Sequence, residues 1–132
     1  MPLSSDEQTK YKALYLKTAR QYVKDMQDNL AQLLTGNETK EVIDSFHLEA
    51  HSLKGQSQIM GYQSMSTISS IIEKIFYAKK ENKLVLSQDL LAKLPDAVNA
   101  LQECLDSIDK SNEENDVSPI SETLQSLVNI SE

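Results

Sequence analysis

The sequence predicts an all-α protein, an antiparallel four-helix bundle with an additional short C-terminal helix. Four long segments carry apolar residues in steps of three and four, the spacing of one helix face. No segment alternates apolar and polar residues for long enough to predict a strand. With three glycines and three prolines in 132 residues, the chain has few places to turn. We therefore expect residues 1–132 to form a single domain.

Capping signals mark the first two predicted helices, over about residues 6–35 and 38–60. Ser4 and Glu7 fit a capping box at the start of the first helix. Gly36-Asn37 ends that helix and can cap the second, which Gly61 stops. The apolar stripe of the first helix contains Tyr11, Tyr15, Thr18, Tyr22, Met26, Leu30 and Leu33. That of the second contains Ile43, Phe46, Ala50, Leu53, Ser57 and Met60.

The remaining helices are predicted over about 64–82, 87–110 and 118–131, with a solvated linker at 111–117. Pro95 lies inside the fourth helix, where its missing N–H and its ring predict a kink or a break. Ser118-Pro119 gives the last helix an N-cap followed by proline at the first helical position. The stripe of the third helix contains Ile68, Ile72, Ile75 and Lys79. That of the fourth contains Leu91, Leu94, Val98, Leu101, Leu105 and Ile108.

Composition and charge exclude several classes of protein. The net charge of -7 would be repelled by a phosphate backbone, so we expect no nucleic-acid partner. No run approaches the ~18 apolar residues of a membrane span, and the first residues show no signal-peptide pattern. A single cysteine, Cys104, allows no internal disulfide and suits a reducing cytoplasm, where we expect the protein. Because four stripes can satisfy one another, we also expect a monomer.

His51 is the candidate reactive residue. It lies one position past Ala50 on the second helix, which puts it about 100° from the buried stripe and at an exposed flank with His47 and Gln58. An ordinary imidazole is largely neutral at pH 7, so a ring nitrogen can attack phosphorus without a strong base. Lys54 supplies a cation three residues on, and Gly55 leaves bare space one turn on. These neighbours indicate a histidine that carries a phosphoryl group.

Glu73 is the candidate partner of the imidazole. If the second and third helices pair antiparallel about a turn near residue 62, positions equidistant from the turn meet. His51 lies eleven residues before residue 62 and Glu73 eleven residues after it. A carboxylate there can accept the Nδ1–H bond and leave Nε2 as the nucleophile.

Two other interpretations stay open at this point. His47 and His51 have the i, i+4 spacing of a zinc clamp, but the zincin pattern needs glutamate directly after the first histidine, where this chain has Leu48. Alternatively, the protein is a non-catalytic helical-bundle adaptor with an incidental surface histidine. Packing of helix against helix would likewise explain Gly55. We predict neither a metal nor a cofactor.

The run Ala50-His51-Ser52-Leu53-Lys54-Gly55, with Gly61-Tyr62 six residues on, resembles the signature of histidine-containing phosphotransfer (HPt) domains. The most similar members are the N-terminal phosphotransfer domains of chemotaxis histidine kinases, and the likeness covers nearly the whole chain. It implies that His51 is phosphorylated on Nε2, that Lys54 is the nearby cation, and that Glu73 is the hydrogen-bond partner. It also implies that Gly55 clears the approach of a partner protein.

The resemblance implies two partners, a histidine kinase ATP-binding domain and a response-regulator receiver domain. Gly36, Gly55 and Gly61 form no glycine-rich loop that could hold ATP. We therefore expect a phosphoryl carrier that is not an enzyme alone and is loaded by a kinase domain. We expect the face around His47, His51, Gly55 and Gln58 to dock the partner. Gln56 stands where the family often has a very small residue, which bears on the choice of partner.

Overall fold

The computed structural model describes residues 3–131, which form five helices and no strand. The helices are α1 (Ser5–Leu34), α2 (Lys40–Met60), α3 (Gln63–Lys80), α4 (Gln88–Ser111) and α5 (Ser118–Ser131). Every predicted boundary lies within about two residues of an observed one. The predicted all-α fold, an antiparallel four-helix bundle with a short C-terminal helix, is confirmed. None of the helices in this part of the chain is long and apolar enough to cross a membrane.

Short polar side chains fix where the helices begin. The Ser4 hydroxyl accepts from the Glu7 backbone N–H, and the Glu7 carboxylate accepts from the Ser4 N–H, so the predicted capping box is present. The second helix is capped by the Thr39 hydroxyl, which accepts from the Val42 N–H, so the expected cap at Asn37 is wrong. Thr39 takes this place because its extended backbone positions the hydroxyl over the first turn.

The four long helices form a ring in which each packs against two others. α2 packs on α1 and on α3, and α4 packs on the other side of these same two helices, α1 and α3. α5 lies across α3 and α4. The phenyl rings of Phe46 and Phe76 stack at the centre with centroids 4.1 Å apart. Cys104 is buried in this core. The predicted stripe of α2 is buried along its whole length.

Two details of the predicted stripes are wrong, and of the two outcomes predicted for Pro95 the break in the fourth helix does not occur. Tyr11 of α1 is exposed, whereas Ala19 and Val23 are fully buried. Lys79 of α3 lies off the core and its ammonium is 3.0 Å from the carboxylate of Glu38. Pro95 does not break α4, which runs through it. Leu94 before the proline and Ala97 and Val98 after it are buried in the bundle, and this packing offsets the helical bond that proline removes.

The turn between α2 and α3 is braced by the segment that precedes α5. Gly61 takes a left-handed conformation (φ 80°), which ends α2, and Tyr62 gives α3 no side-chain cap. The carboxylate of Glu114 supplies that cap by accepting from the Met65 backbone N–H at 2.8 Å. The Ser64 hydroxyl donates to the Asn115 carbonyl at 2.9 Å. The linker therefore holds the start of α3 in place.

The buried hydroxyl pair of Tyr15 and Ser57, 2.7 Å apart, generates a stability prediction. Burial raises the pKa of Tyr15, so its hydroxyl stays protonated and needs a partner. We expect Ser57→Ala to lower the free energy of unfolding by about 1–3 kcal/mol, because the phenol is left unsatisfied. Adding Tyr15→Phe should recover much of that loss. Urea denaturation measures both effects.

Ser52→Ala is the matched control, since Ser52 lies on the outer side of the same helix. It should change stability by less than about 0.5 kcal/mol. Equal losses for Ser52→Ala and Ser57→Ala would show that the buried pair is not what stabilises the contact between α1 and α2.

Candidate functional site

His51 projects from the middle of α2 into solvent. The flanking residues Ala50 and Leu53 are fully buried and anchor this part of the helix in the core. The imidazole itself is 60% exposed. A rigid helix therefore presents a ring that another protein can reach.

Glu73 of α3 holds both His51 and Lys54. Its Oε2 atom contacts Nδ1 of His51, and its Oε1 atom accepts from Nζ of Lys54 at 2.5 Å. The carboxylate is only 15% exposed, so water has little access to these bonds. The structure thus brings together the three residues that the sequence selected, although their chemical roles stay predictions.

The charge of Glu73 determines which ring nitrogen of His51 carries the proton. Burial raises the pKa of Glu73, but the hydrogen bonds from Lys54 and His51 together lower it below its usual range. The group is therefore an ionised carboxylate at neutral pH and can only accept hydrogen bonds. Nδ1 of a neutral His51 must then be the donor, which leaves a lone pair on Nε2.

Gly55 opens the surface next to the imidazole. A Cβ atom built at this position would have no heavy atom within 4 Å apart from its own helix and neighbours, so helix packing does not explain the glycine. Gln58 lies exposed one turn further on. Gln56 turns away toward α1, where its amide donates to the Tyr22 hydroxyl at 3.5 Å. Gln56 therefore does not cover His51.

His47 lies one turn before His51 and is partly buried. Its ring centroid is 6.4 Å from that of His51 and 5.9 Å from that of Tyr77. Burial, followed by the nearby charge of Lys80, lowers the pKa of His47, so this ring is neutral at pH 7. Within residues 3–131 no group of three or more His, Cys, Asp or Glu side chains could hold a metal ion.

The sequence analysis did not identify which apolar residues of α1 and α2 are exposed. Leu48 of α2 and Leu14 of α1 are each 63% exposed, and Ile59 is also exposed. Tyr11, Leu14 and Ile59 line an α1–α2 groove of about 370 Å³. Leu48, His51, Gly55 and Ile59 lie on one outward line of α2, which we call the α2 strip. Helical period alone could have placed Leu48 and Ile59 off the buried stripe of α2.

Known proteins similar to this chain are chemotaxis proteins. The chain is 20% identical over 119 residues to chemotaxis protein CheA of Halobacterium salinarum, which covers 89% of this chain and 18% of that protein. It is 25% identical over 116 residues to chemotaxis protein CheA of Borreliella burgdorferi, which covers 87% of this chain and 13% of that protein. The chain thus spans less than a fifth of the length of these relatives.

A solved structure has the same fold. The phosphorylated P1 domain of CheA3, in complex with CheY6 from R. sphaeroides, superposes with a TM-score of 0.82 at 17% identity, covering 91% of this chain and 96% of that chain. The model of the Hpt domain family matches residues 10–111, a range that contains His51, Lys54 and Glu73. The chain belongs to the Hpt domain family.

Proposed function

We propose that this domain carries a phosphoryl group on Nε2 of His51 in a chemotaxis phosphorelay. A histidine kinase loads it, and an aspartate of a response-regulator receiver domain removes the group. The observation that carries the proposal is the exposed His51 ring with its Nδ1 atom held by the Glu73 carboxylate. Membership of the Hpt family and the phosphorylated relative seen with CheY6 support it.

The geometry suits transfer in both directions. In loading, the Nε2 lone pair attacks the γ-phosphorus of ATP, the N–P bond forms, and the bond from phosphorus to the bridging oxygen breaks to release ADP. The imidazole then carries a positive charge, which the Glu73 carboxylate stabilises through the Nδ1–H bond. In delivery, a receiver carboxylate attacks phosphorus, the N–P bond breaks, and the ring becomes neutral again.

Lys54 is the positive charge available to the phosphoryl group. Its ammonium is bound to Glu73, on the same side of α2 as His51. A phosphoryl group on Nε2 adds negative charge beside this pair and attracts the ammonium. We propose that Lys54 shifts toward the phosphoryl oxygens while Glu73 keeps its bond to Nδ1.

The receiver domain docks on the α2 strip and the adjoining α1–α2 groove. Between Leu48 and Ile59 this outward line of α2 has no charged side chain, although the chain carries 20 acidic residues. An uncharged apolar surface does not repel the acidic acceptor site of a receiver. A small interface of this kind suits a partner that must leave after transfer. The predicted monomeric state and cytoplasmic location remain part of the proposal.

A non-catalytic adaptor is the alternative function. It would use the same exposed face for contacts without any phosphoryl chemistry. The match to the Hpt family over residues 10–111 favours the phosphotransfer function. Chemical analysis of the modified residue separates the two functions.

The first prediction concerns the modified residue. With labelled ATP and the ATP-binding domain of a chemotaxis kinase, the wild-type chain should gain one label that acid removes and alkali does not, as expected for phosphohistidine. Peptide mass spectrometry should place the label on His51. His51→Gln should abolish labelling and retain the helical circular dichroism of the wild type. A label on His47, or a label that survives acid, contradicts the proposal.

The second prediction concerns the tautomer of His51. Nitrogen-15 NMR at pH 8 should show Nδ1 protonated and Nε2 bare in the wild type. Glu73→Gln should preserve this tautomer, because the amide oxygen still accepts the bond. Glu73→Ala should shift the ring toward the Nε2–H form preferred by an unconstrained histidine side chain. Glu81→Gln, at the exposed end of α3, is the control. An unchanged spectrum in Glu73→Ala would exclude Glu73 as the positioning residue.

The third prediction concerns access to His51. Gly55→Ala should stabilise the fold by about 0.5–1 kcal/mol, since a Cβ there meets nothing and alanine favours a helix. Gly55→Leu should fold equally well but slow transfer to a receiver by about tenfold or more, because its side chain obstructs docking. Loading by phosphoramidate, a small phosphoryl donor, should be unchanged in both variants. Wild-type transfer by Gly55→Leu would exclude the open-approach role.

A further inference from the structure

The two sides of His51 differ in chemical character. On the α1 side lies the apolar α1–α2 groove. On the other side lies an α2–α3 groove of about 230 Å³, lined by His47, Ser70, Glu73, Lys74 and Tyr77. Its lining is polar, aromatic and charged. A carrier that serves two partners therefore has two chemically different surfaces, one on each side of the helix that carries His51.

Three rings connect the α2–α3 groove to His51. The rings of Tyr77, His47 and His51 follow one another with centroid separations of 5.9 and 6.4 Å. Tyr77 is 53% exposed, although a tyrosine buries much apolar area when it is covered. Tyrosines are enriched among the residues that anchor protein interfaces. The row of rings gives a docked protein a continuous contact that ends at the reactive residue.

Three lysines and two carboxylates, Glu73 and Asp44, lie on the α2–α3 side of His51, so these five groups together carry a net positive charge. Lys74 lines the α2–α3 groove, and Lys80 lies further along α3 with its ammonium 3.5 Å from Asp44 of α2. Lys54 lies on the same side of α2, bound to Glu73. This grouping occurs in a chain whose net charge is -7. By contrast, the α2 strip between Leu48 and Ile59 carries no charge.

We propose that the α2–α3 groove is the docking surface for the ATP-binding domain of the kinase that loads His51. This inference rests on the proposed function and divides its two partners between the two sides of the imidazole. Bound ATP brings several negative charges to His51, and lysines beside the approach steer such a partner toward it. Because both partners must reach Nε2, they exclude one another, yet each surface can be altered without altering the other.

The experiment measures three rates on each variant. These are loading by phosphoramidate, loading by a chemotaxis-kinase ATP-binding domain that labels the wild-type chain, and transfer from loaded His51 to a receiver domain. The variants are Tyr77→Ala and Lys74→Glu. The matched controls are Val85→Ala, an exposed apolar residue outside the helices, and Lys93→Glu on α4. Urea denaturation checks that each variant is folded.

We expect Tyr77→Ala and Lys74→Glu each to lower kcat/KM for loading by the kinase domain by about five- to twentyfold. Phosphoramidate loading and transfer to the receiver should stay within about twofold of wild type. The Lys74→Glu effect should weaken at high salt, because exposed charges are screened there. Both controls should load at the wild-type rate.

Other outcomes separate the inference from the proposed function. If Tyr77→Ala and Lys74→Glu slow transfer to the receiver instead of loading, the groove belongs to the receiver and the inference is overturned. The inference also fails if kinase loading is unchanged, or if phosphoramidate loading falls equally, since the residues would then act on the reactivity of His51. Failure of every kinase domain to label the wild-type chain on His51 contradicts the proposed function itself.

Discussion

The Glu73 carboxylate is the constraint on which the site depends. Its two oxygens hold Nδ1 of His51 and Nζ of Lys54, so one side chain fixes the orientation of the imidazole and the place of the nearest cation. The carboxylate comes from α3, whereas both of its partners come from α2. Any shift of one helix along the other would therefore break both bonds. The bonds of Glu73 to His51 and Lys54 therefore require that contacts outside the site fix the register between α2 and α3.

That register is fixed in the core and at the turn. The stacked rings of Phe46 and Phe76 join the two helices behind the site, and the left-handed Gly61 sets how many residues separate them. Glu114 then caps α3 at Met65, so a residue from the far end of the chain holds the helix that carries Glu73. The C-terminal segment is thus coupled to the site through the position of a helix and not through contact with His51.

The sequence predicted the helices and the contact between His51 and Glu73, and it failed at the features that depend on long-range packing. Period and capping signals are local, so they placed the boundaries of α1 to α5 and the buried stripe of α2. The contact of His51 with Glu73 followed from counting eleven residues in both directions from residue 62 in the turn. The exposure of Tyr11 and the cap from Glu114 depend on how α1 and the linker pack, which no local pattern contains. Pro95 likewise stays helical because burial around it outweighs local propensity.

A phosphoryl carrier must bind its cargo strongly enough to accept it and weakly enough to release it. A carboxylate that interacted with the imidazole alone would favour the charged, phosphorylated ring most strongly. In the structure Lys54 shares the carboxylate with Nδ1–H of His51, and the Nε2 face of the ring is exposed to water. On the proposed function Lys54 turns to the phosphoryl group after loading, so Glu73 orients the ring firmly while water limits how strongly the charged ring is stabilised. Such a balance suits a domain that passes its phosphoryl group on instead of keeping it.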